Sequence, residues 1–236
     1  MKASKINLYE LIGLIIGDGS IMYGWKSKEG KKHYRLYING DIKDDIEYFK
    51  EVSRLVFRIC GKKPKIRASY KLNDTRLELY IYNKNFVEYL INKLKLDYGK
   101  KTFIVTIPRK FTKWRYSKHV LRGLFESDGS LYFSKSRITI KYPSYPRIEI
   151  RTVSKRLAHQ IYTILKQRKF NVQFMITKYN DFKIYLSGKI MLQKWIEEIG
   201  FSNKNTISKY RLWKKFGYYI PNITSKQRKK LLKTHT

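Results

Sequence analysis

The feature that most restricts how this chain can fold is a nine-residue stretch that occurs twice. Residues 11–19 read LIGLIIGDG and residues 121–129 read LRGLFESDG, so each copy is an apolar run that ends in Asp-Gly. Aligning the two copies places Asp18 on Asp128. An internal repeat of this kind favours two similar halves that share a core, and a chain of 236 residues is long enough to hold both.

The two stretches are predicted to form helices that pack closely against each other. A helix over Leu8–Gly17 carries Gly13 and Gly17 four residues apart on one face, and the second copy carries Gly123 and Ser127 at the same spacing. Small residues at positions i and i+4 let two helix backbones approach, because no bulky side chain separates them. Two such helices can therefore pair about a pseudo-two-fold axis.

Pairing of this kind brings together the side chains at the ends of the two helices, Asp18 and Asp128. The C-terminal end of a helix carries partial negative charge, so two carboxylates there repel each other unless a cation lies between them. A divalent metal ion would meet this need, and oxygen ligands favour Mg²⁺ or Mn²⁺ over zinc. The next residues, Gly19 and Gly129, are predicted to adopt the left-handed conformation that often ends a helix.

The charge of the chain indicates a polyanionic partner. Lys and Arg number 52 against 18 Asp and Glu, which gives a formal net charge of +34 at pH 7. This excess is typical of nucleic-acid-binding proteins; a ribosomal or membrane-surface protein can share it, but neither needs paired Asp-Gly helices. The single cysteine, Cys60, excludes an internal disulfide and a cysteine-based zinc site.

The sequence shows no membrane-spanning or secretory segment. No apolar run approaches the roughly 18 residues of a membrane span, and no signal-peptide pattern precedes the first repeat. We therefore expect a protein that has no membrane partner, is not secreted, and acts in the cytoplasm or in an organellar matrix.

The segments that follow each repeat predict an α+β fold in which one order of elements occurs twice. Two pseudo-symmetric αββαββα halves would pack through the paired motif helices. The predicted domains are residues 1–100 for the first half, 101–116 for a linker, 117–216 for the second half and 217–236 for a basic tail. The second motif helix is predicted to begin near Ser117. The tail is predicted to be either a short helix lying on phosphates or a mobile end.

Eight strands are predicted, and several of them alternate between an apolar face and a cationic or aromatic face. Such strands would form two antiparallel sheets, one per half, with a continuous basic surface like a saddle. The predicted strands are Ser20–Lys26, His33–Asn39, Lys65–Lys71 and Arg76–Tyr82 in the first half, and Leu131–Lys141, Arg147–Val153, Val172–Lys178 and Phe182–Ser187 in the second.

The saddle is suited to double-stranded DNA, because a β-ribbon fits the major groove, where each base pair presents a distinct pattern of donors and acceptors. The two halves differ at matched positions, so the target is expected to be non-palindromic and to span about two helical turns. The candidate DNA-contacting residues are Arg35, Tyr37, Lys65, Arg67, Lys71, Arg76, Glu78, Tyr80, Arg147, Glu149, Arg151, Gln173, Lys183 and Tyr185.

The repeated stretch resembles the motif of the LAGLIDADG homing endonucleases, and two copies in one chain resemble the monomeric members of that family. The resemblance covers residues 7 to about 216. Ile16 replaces the first acidic residue of the motif, whereas Glu126 keeps it, either as a peripheral residue of the catalytic centre or as a charge on the helix surface. The repeat begins within ten residues of Met1 and ends close to the C-terminus, so no flanking intein segments are expected.

The resemblance implies a monomeric, sequence-specific endonuclease that makes double-strand breaks at a long site. Cleavage would proceed by metal-dependent phosphodiester hydrolysis across the minor groove and leave short 3′ overhangs. The resemblance also implies that Asp18 and Asp128 each bind Mg²⁺ or Mn²⁺, helped by the main-chain carbonyl groups of Gly17 and Ser127.

The family commonly has a lysine near the active site in each half. The matching positions here are Lys100 and Lys204, with Lys101 as the alternative to Lys100, and a cation there would polarise water or screen transition-state charge. Two other functions stay open, namely an RNA maturase of the same family, with intron RNA as a partner, and a non-catalytic DNA-binding protein. The presence of both Asp18 and Asp128 argues against the last.

Overall fold

The computed structural model describes residues 5–26, 30–68, 75–135, 137, 139 and 141–233, and it confirms the predicted α+β architecture of two similar halves. The first half contains α1 (Leu8–Ile16), β1 (Gly19–Lys26), β2 (Lys32–Asp41), α2 (Ile42–Cys60), β3 (Lys65–Ala68), β4 (Arg76–Tyr82) and α3 (Lys84–Glu88), which continues into a π-helical turn at Tyr89–Lys93. The second half contains α4 (Trp114–Asp128), β5 (Gly129–Ser134), β6 (Tyr145–Thr152), α5 (Lys155–Gln167), β7 (Val172–Ile176), β8 (Phe182–Ser187) and α6 (Lys189–Glu198), followed by α7 (Lys204–Phe216) and α8 (Ser225–Lys233).

The two four-stranded antiparallel sheets share one strand order, β1-β2-β4-β3 in the first half and β5-β6-β8-β7 in the second. Their register also matches, since Gly19 pairs with Ile38 and Gly129 pairs with Ile150. One face of each sheet is apolar and packs against the helices. The other face carries the cationic and aromatic side chains, as the alternation predicted.

The motif helices α1 and α4 pack with their backbones in contact along the seam between the halves. A Cβ atom on Gly13 would overlap the carbonyl oxygen of Val120 and lie 2.9 Å from Gly123 Cα. A Cβ atom on Gly123 would overlap the carbonyl oxygen of Glu10 in the same way. The predicted pairing through small residues is therefore confirmed.

A buried ion pair also joins the two motif helices. Arg122 Nε of α4 donates to Glu10 Oε2 of α1 at 2.8 Å, and both side chains are buried. The Tyr48 hydroxyl donates to Glu10 Oε1 at 2.8 Å, and Arg122 Nη1 donates to the carbonyl oxygen of Ile199 at 2.8 Å. The pair is thus held by hydrogen bonds from both halves, as a buried ion pair requires.

Gly19 and Gly129, which end the two motifs, are required because a side chain there would clash with neighbouring atoms, not because the backbone is left-handed. Gly129 is extended, with φ −105° and ψ 165°, and Gly19 is not among the glycines with positive φ. A Cβ atom would lie 2.7 Å from the carbonyl oxygen of Ile15 if added to Gly19, and 2.7 Å from Phe125 Cα if added to Gly129. The left-handed conformation predicted for them is wrong, because each motif leads directly into the first strand of its sheet.

Several predicted boundaries differ from the structure by one or two residues, and two differ by more. Helix α4 begins at Trp114 rather than near Ser117, which is buried inside the helix. Strand β5 ends at Ser134 rather than at Lys141, because the chain turns back and the Ser144 N–H donates to the Ser134 carbonyl oxygen at 3.2 Å.

The end of the predicted strand Lys65–Lys71 lies outside the described residues, and so does the candidate DNA contact Lys71. Among the described residues, no helix combines the length and apolar character that a membrane crossing requires.

The segment between α3 and α4 is fastened to the second half. Ile107 exchanges hydrogen bonds with the Gln160 side chain at 2.8 and 3.0 Å, and the Ser154 hydroxyl donates to the carbonyl oxygen of Val105 at 2.8 Å. The domain boundaries themselves stay a prediction.

The basic tail folds back as α8 and is anchored on α7 by a buried arginine. Arg228 donates to the Ser208 hydroxyl at 2.8 Å and to the carbonyl oxygen of Ile223 at 2.7 Å, and it also contacts Asn205 Oδ1. Of the two structures predicted for the tail, the helix is the one observed.

Candidate active site

The ends of α1 and α4 meet beneath an open cleft of about 470 Å³. Asp18, which follows α1, and Asp128, the last residue of α4, both line this cleft. Gly17 and Ser127 lie at the same point, since a Cβ atom on Gly17 would overlap the Ser127 hydroxyl and lie 2.7 Å from Asp128 Oδ2. The structure thus brings together all four residues predicted to bind metal.

Burial raises the pKa of both carboxyl groups, and the negative charge of Asp18 adds to the rise at Asp128. Burial raises the pKa of Asp18, against the opposing positive charge of Lys101. Burial, followed by the negative charge of Asp18, raises the pKa of Asp128 to about 7, and Lys101 again opposes the shift. A carboxylate whose ionisation is disfavoured by burial and by a neighbouring carboxylate is one that a bound cation would stabilise.

The lysine in this cleft is Lys101, which is only 8% exposed. Its Nζ donates to the main-chain carbonyl oxygens of Ile15 and Ile16 at 2.5 and 2.6 Å. Burial lowers the pKa of Lys101 to about 8, against the opposing negative charges of Asp128 and Asp18. The ammonium therefore lies at the negative end of the α1 dipole, where a cation is favoured.

The two lysines predicted for the active site lie outside this cleft. Lys100 is exposed and is not among the residues that line it. Lys204, at the start of α7, lines a separate hollow together with Glu51 and Arg54 of α2. Their catalytic roles stay predictions. The alternative to Lys100, Lys101, is the lysine that the fold turns inward, and the sequence carries no signal that separates the two neighbours.

The cleft differs on its two sides. The second half contributes Arg151, Thr152 and Asp181, and Lys101 is the one lysine among the described residues that line the cleft. The motif carboxylates are therefore related by the pseudo-two-fold axis, whereas the groups around them are not.

Glu126 is a half-buried residue that holds helix α7 in place. Its carboxylate accepts hydrogen bonds from the N–H groups of Ser202 and Asn203 at 2.7 and 3.0 Å and from the Thr206 hydroxyl at 3.2 Å. Burial raises the pKa of Glu126 to about 7, although these donors oppose the shift. The role of a charge on the helix surface is wrong, because the carboxylate of Glu126 is bound to the start of α7. A peripheral role at the catalytic centre stays a prediction, and Glu126 is not among the residues that line the cleft.

The open face of the two sheets carries the other residues predicted to contact DNA. The strand register places them on this face, and all but two of them are exposed or half-buried. The two exceptions are the acids Glu78 and Glu149, which are buried. The accessible members are Arg35, Tyr37, Lys65, Arg67, Arg76 and Tyr80 in the first half, and Arg147, Arg151, Gln173, Lys183 and Tyr185 in the second.

A sequence model of the LAGLIDADG DNA endonuclease family matches residues 9–193, a range that includes both motifs and both sheets. Similar curated proteins are the DNA polymerases of Thermococcus sp. (strain GE8), 27% identical over 163 residues, and of Thermococcus hydrothermalis, 25% identical over 163 residues. Each match covers 68% of this chain and 8% of the polymerase. The matching region is therefore a small part of those relatives.

Solved structures share the fold. Mesophilic variants of the homing endonuclease I-DmoI match with a TM-score of 0.58 and 21% identity, over 81% of this chain and 93% of theirs. I-DmoI in complex with DNA and Mn matches with a TM-score of 0.56 and 20% identity, over 81% and 94% of the two chains. The meganuclease I-SmaMI bound to uncleavable DNA matches with a TM-score of 0.59 and 14% identity, over 91% of both chains.

Proposed function

Because the chain belongs to the LAGLIDADG DNA endonuclease family, we propose that it is a sequence-specific homing endonuclease. It would act as a monomer and cut both strands of double-stranded DNA at a long, non-palindromic site. The observation that carries this proposal is the meeting of Asp18, Asp128 and Lys101 in one cleft between two basic sheet surfaces.

The residues of the cleft fit a divalent cation. Two carboxylates meet there beside the ends of two helices, and burial together with the charge of Asp18 raises the pKa of Asp128. Oxygen donors of this kind suit Mg²⁺ or Mn²⁺, with main-chain oxygens of Gly17 and Ser127 as further candidate ligands. No three His, Cys, Asp or Glu side chains converge on one point in the described part of the chain, so DNA phosphates and water would complete the coordination.

The residues of the chain divide the work of hydrolysis. A bound divalent cation would supply activated water and relief of charge at the phosphorus. Asp18 and Asp128 would each hold cations next to one strand. Lys101, anchored by two carbonyl oxygens, would keep a positive charge beside the scissile phosphate and screen the charge of the transition state.

The sheets would supply recognition on either side of this centre. Their open faces would enter the major groove, where base pairs differ most in donors and acceptors. The motif ends would then face the minor groove between the two contacts, and cutting across it would leave short 3′ overhangs.

The experiment that tests this proposal is selection of cleavable sites from a randomised duplex library in the presence of Mg²⁺. We expect one family of long sites, and a plasmid that carries a selected site should become linear with Mg²⁺ but not with excess chelator. A folded, DNA-binding preparation that cuts no member of the library would overturn the proposal.

A further inference from the structure

Glu78 lies on the open face of the first sheet, yet the residue is only 4% exposed. Arg67 donates to Glu78 Oε2 through Nε at 2.7 Å and through Nη2 at 2.6 Å, and Arg76 Nη1 lies 3.9 Å from Oε1. A hydrogen bond from the Tyr37 hydroxyl holds the pKa of Glu78 below its usual value. The carboxylate is thus enclosed by two arginines and one tyrosine.

Glu149 has the same surroundings in the second sheet, where it is 6% exposed. Arg151 Nε donates to Glu149 Oε1 at 2.5 Å, and Lys183 Nζ lies 2.5 Å from Oε2. The Tyr132 hydroxyl donates to Oε2 at 3.0 Å. Two cations and one tyrosine enclose this carboxylate as well.

The two clusters occupy different positions of the repeat. The two sheets can be aligned on the glycines that begin them, Gly19 and Gly129. In this alignment Tyr37 of β2 matches Glu149 of β6, and Glu78 of β4 matches Lys183 of β8. The acid has therefore changed strand between the halves, while its surroundings have stayed alike. Duplication alone would place the acid at the same position in both sheets. The different positions therefore indicate that the cluster itself is required.

The hydrogen bonds of Glu78 and Glu149 suit side chains that position neighbouring cations better than side chains that contact DNA bases directly. An acid that reads DNA must offer a free oxygen to a donor such as the cytosine amino group. Here both carboxylates are already bound, while the Arg67 and Arg151 side chains are 69% and 52% exposed. Because Glu149 binds Arg151 through Nε, the bond leaves the two terminal nitrogens for the paired contact that arginine makes with guanine.

We propose that Glu78 and Glu149 are specificity-determining positioning residues, which hold the neighbouring cations at base-reading positions and keep them from binding phosphates. This inference rests on the proposed function, because it assumes that the open face of the sheets contacts DNA. Without its carboxylate, each cluster would release cations to the nearest phosphate, and that contact carries no sequence information.

The test measures DNA binding in the presence of chelator, so it does not depend on cleavage. Glu78→Gln and Glu149→Gln are compared with the parent protein and with Glu47→Gln, which removes the same charge from an exposed position on α2. The probes are a duplex selected for binding from a random library and a random-sequence duplex of equal length. Thermal unfolding of each variant checks that the fold is intact.

Beyond the shift of the Glu47→Gln control, the two variants should bind random DNA more tightly, with a log–log salt slope steeper by about one per released cation. The preference for the selected duplex should fall about tenfold.

Random-DNA affinity and salt slope equal to those of the control would overturn the inference, even if the protein cuts DNA. Loss of affinity confined to one cytosine position would also overturn it, because that result identifies a base reader. Failure to cut any site, with these binding shifts present, would count against the nuclease alone.

Discussion

Asp18 and Asp128 are the side chains on which DNA cutting should depend most directly. Replacing either with Asn keeps its size and removes its charge, so it should abolish cutting of at least one strand. Binding should stay within about tenfold, because the cation acts on the chemistry more than on affinity. Plasmid nicking and duplex binding measure the two effects, with Asp44→Asn on the exposed start of α2 as the control. A cleavage rate unchanged in either variant would remove the metal-binding assignment.

Lys101 and Lys100 are neighbours in sequence with opposite environments, and they form a matched pair for mutation. Lys101→Met should lower the cleavage rate by about 10²- to 10³-fold, because a fixed positive charge would be lost beside the cleft. Lys100→Met should cut at nearly the parent rate, since Lys100 is exposed outside the cleft. Single-turnover cleavage under saturating protein separates this effect from binding. Equal losses in both variants would show that Lys101 has no special role.

His119 should make the fold sensitive to acid. Burial, together with the positive charges of Arg122 and Lys118, lowers the pKa of His119 from 6.5 to about 4. Between these values the unfolded chain binds a proton that the folded chain does not, so the free energy of unfolding falls as the pH drops through this window.

Unfolding by urea at about pH 7 and about pH 5 measures this contribution. The ring is half-buried, so we expect His119→Gln to lose about 1 kcal/mol less stability than the parent over this interval. An equal loss in both proteins would contradict the assignment.

The motif helices are the elements whose contact should tolerate change least. Gly13→Ala adds a methyl group against the Val120 carbonyl oxygen and the backbone of Gly123, so it should cost at least about 3 kcal/mol or prevent folding. Gly61→Ala is the control, because nothing lies within 4 Å of its Cβ position and only its left-handed φ of 68° opposes a side chain. That strain should cost about 1 kcal/mol. Similar losses in both variants, measured by chemical unfolding, would mean that α1 and α4 do not touch.

The ion pair between the same helices makes a second prediction for this contact. Arg122→Met would leave the buried Glu10 carboxylate without its cation and should cost about 3–5 kcal/mol. The double variant Glu10→Leu with Arg122→Met should recover most of that loss, since the unpaired charge is gone. Arg168→Met, which breaks the more exposed pair with Glu198, should cost no more than about 1 kcal/mol. A small effect of Arg122→Met in unfolding experiments would place the pair in contact with water.

Elements that are determined by neighbouring residues could be predicted from the sequence, whereas arrangements that depend on distant parts of the chain could not. Strands Arg76–Tyr82 and Phe182–Ser187 were predicted to the residue, because alternation and the neighbouring polar turns define them locally. The inward turn of Lys101 depends on carbonyl groups more than eighty residues earlier in the chain. The cap that Glu126 gives to α7 likewise depends on distant backbone, so neither arrangement has a local signal.

Across the whole molecule, acidic residues are few, and several of them hold neighbouring helices or cations in place. Glu10 joins the motif helices, Glu126 holds α7, and Glu78 and Glu149 gather cations on the sheets. Asp45 links α2 to the start of α7, because its Oδ1 accepts from Asn203 Nδ2 at 2.7 Å. A chain with a net charge of +34 thus uses several of its few carboxylates to set the positions of neighbouring elements and cations.

The charged residues differ between the two sides of the cleft, and this difference bears on the order in which the two DNA strands would be cut. Lys101 stands on one side, and Arg151 and Asp181 stand on the other, so in the proposed reaction the two phosphodiester bonds would meet different surroundings. Unlike surroundings give unlike barriers, and about 1.4 kcal/mol of difference already separates the two rates tenfold. A supercoiled circle should then relax to an open, singly interrupted form before it becomes linear.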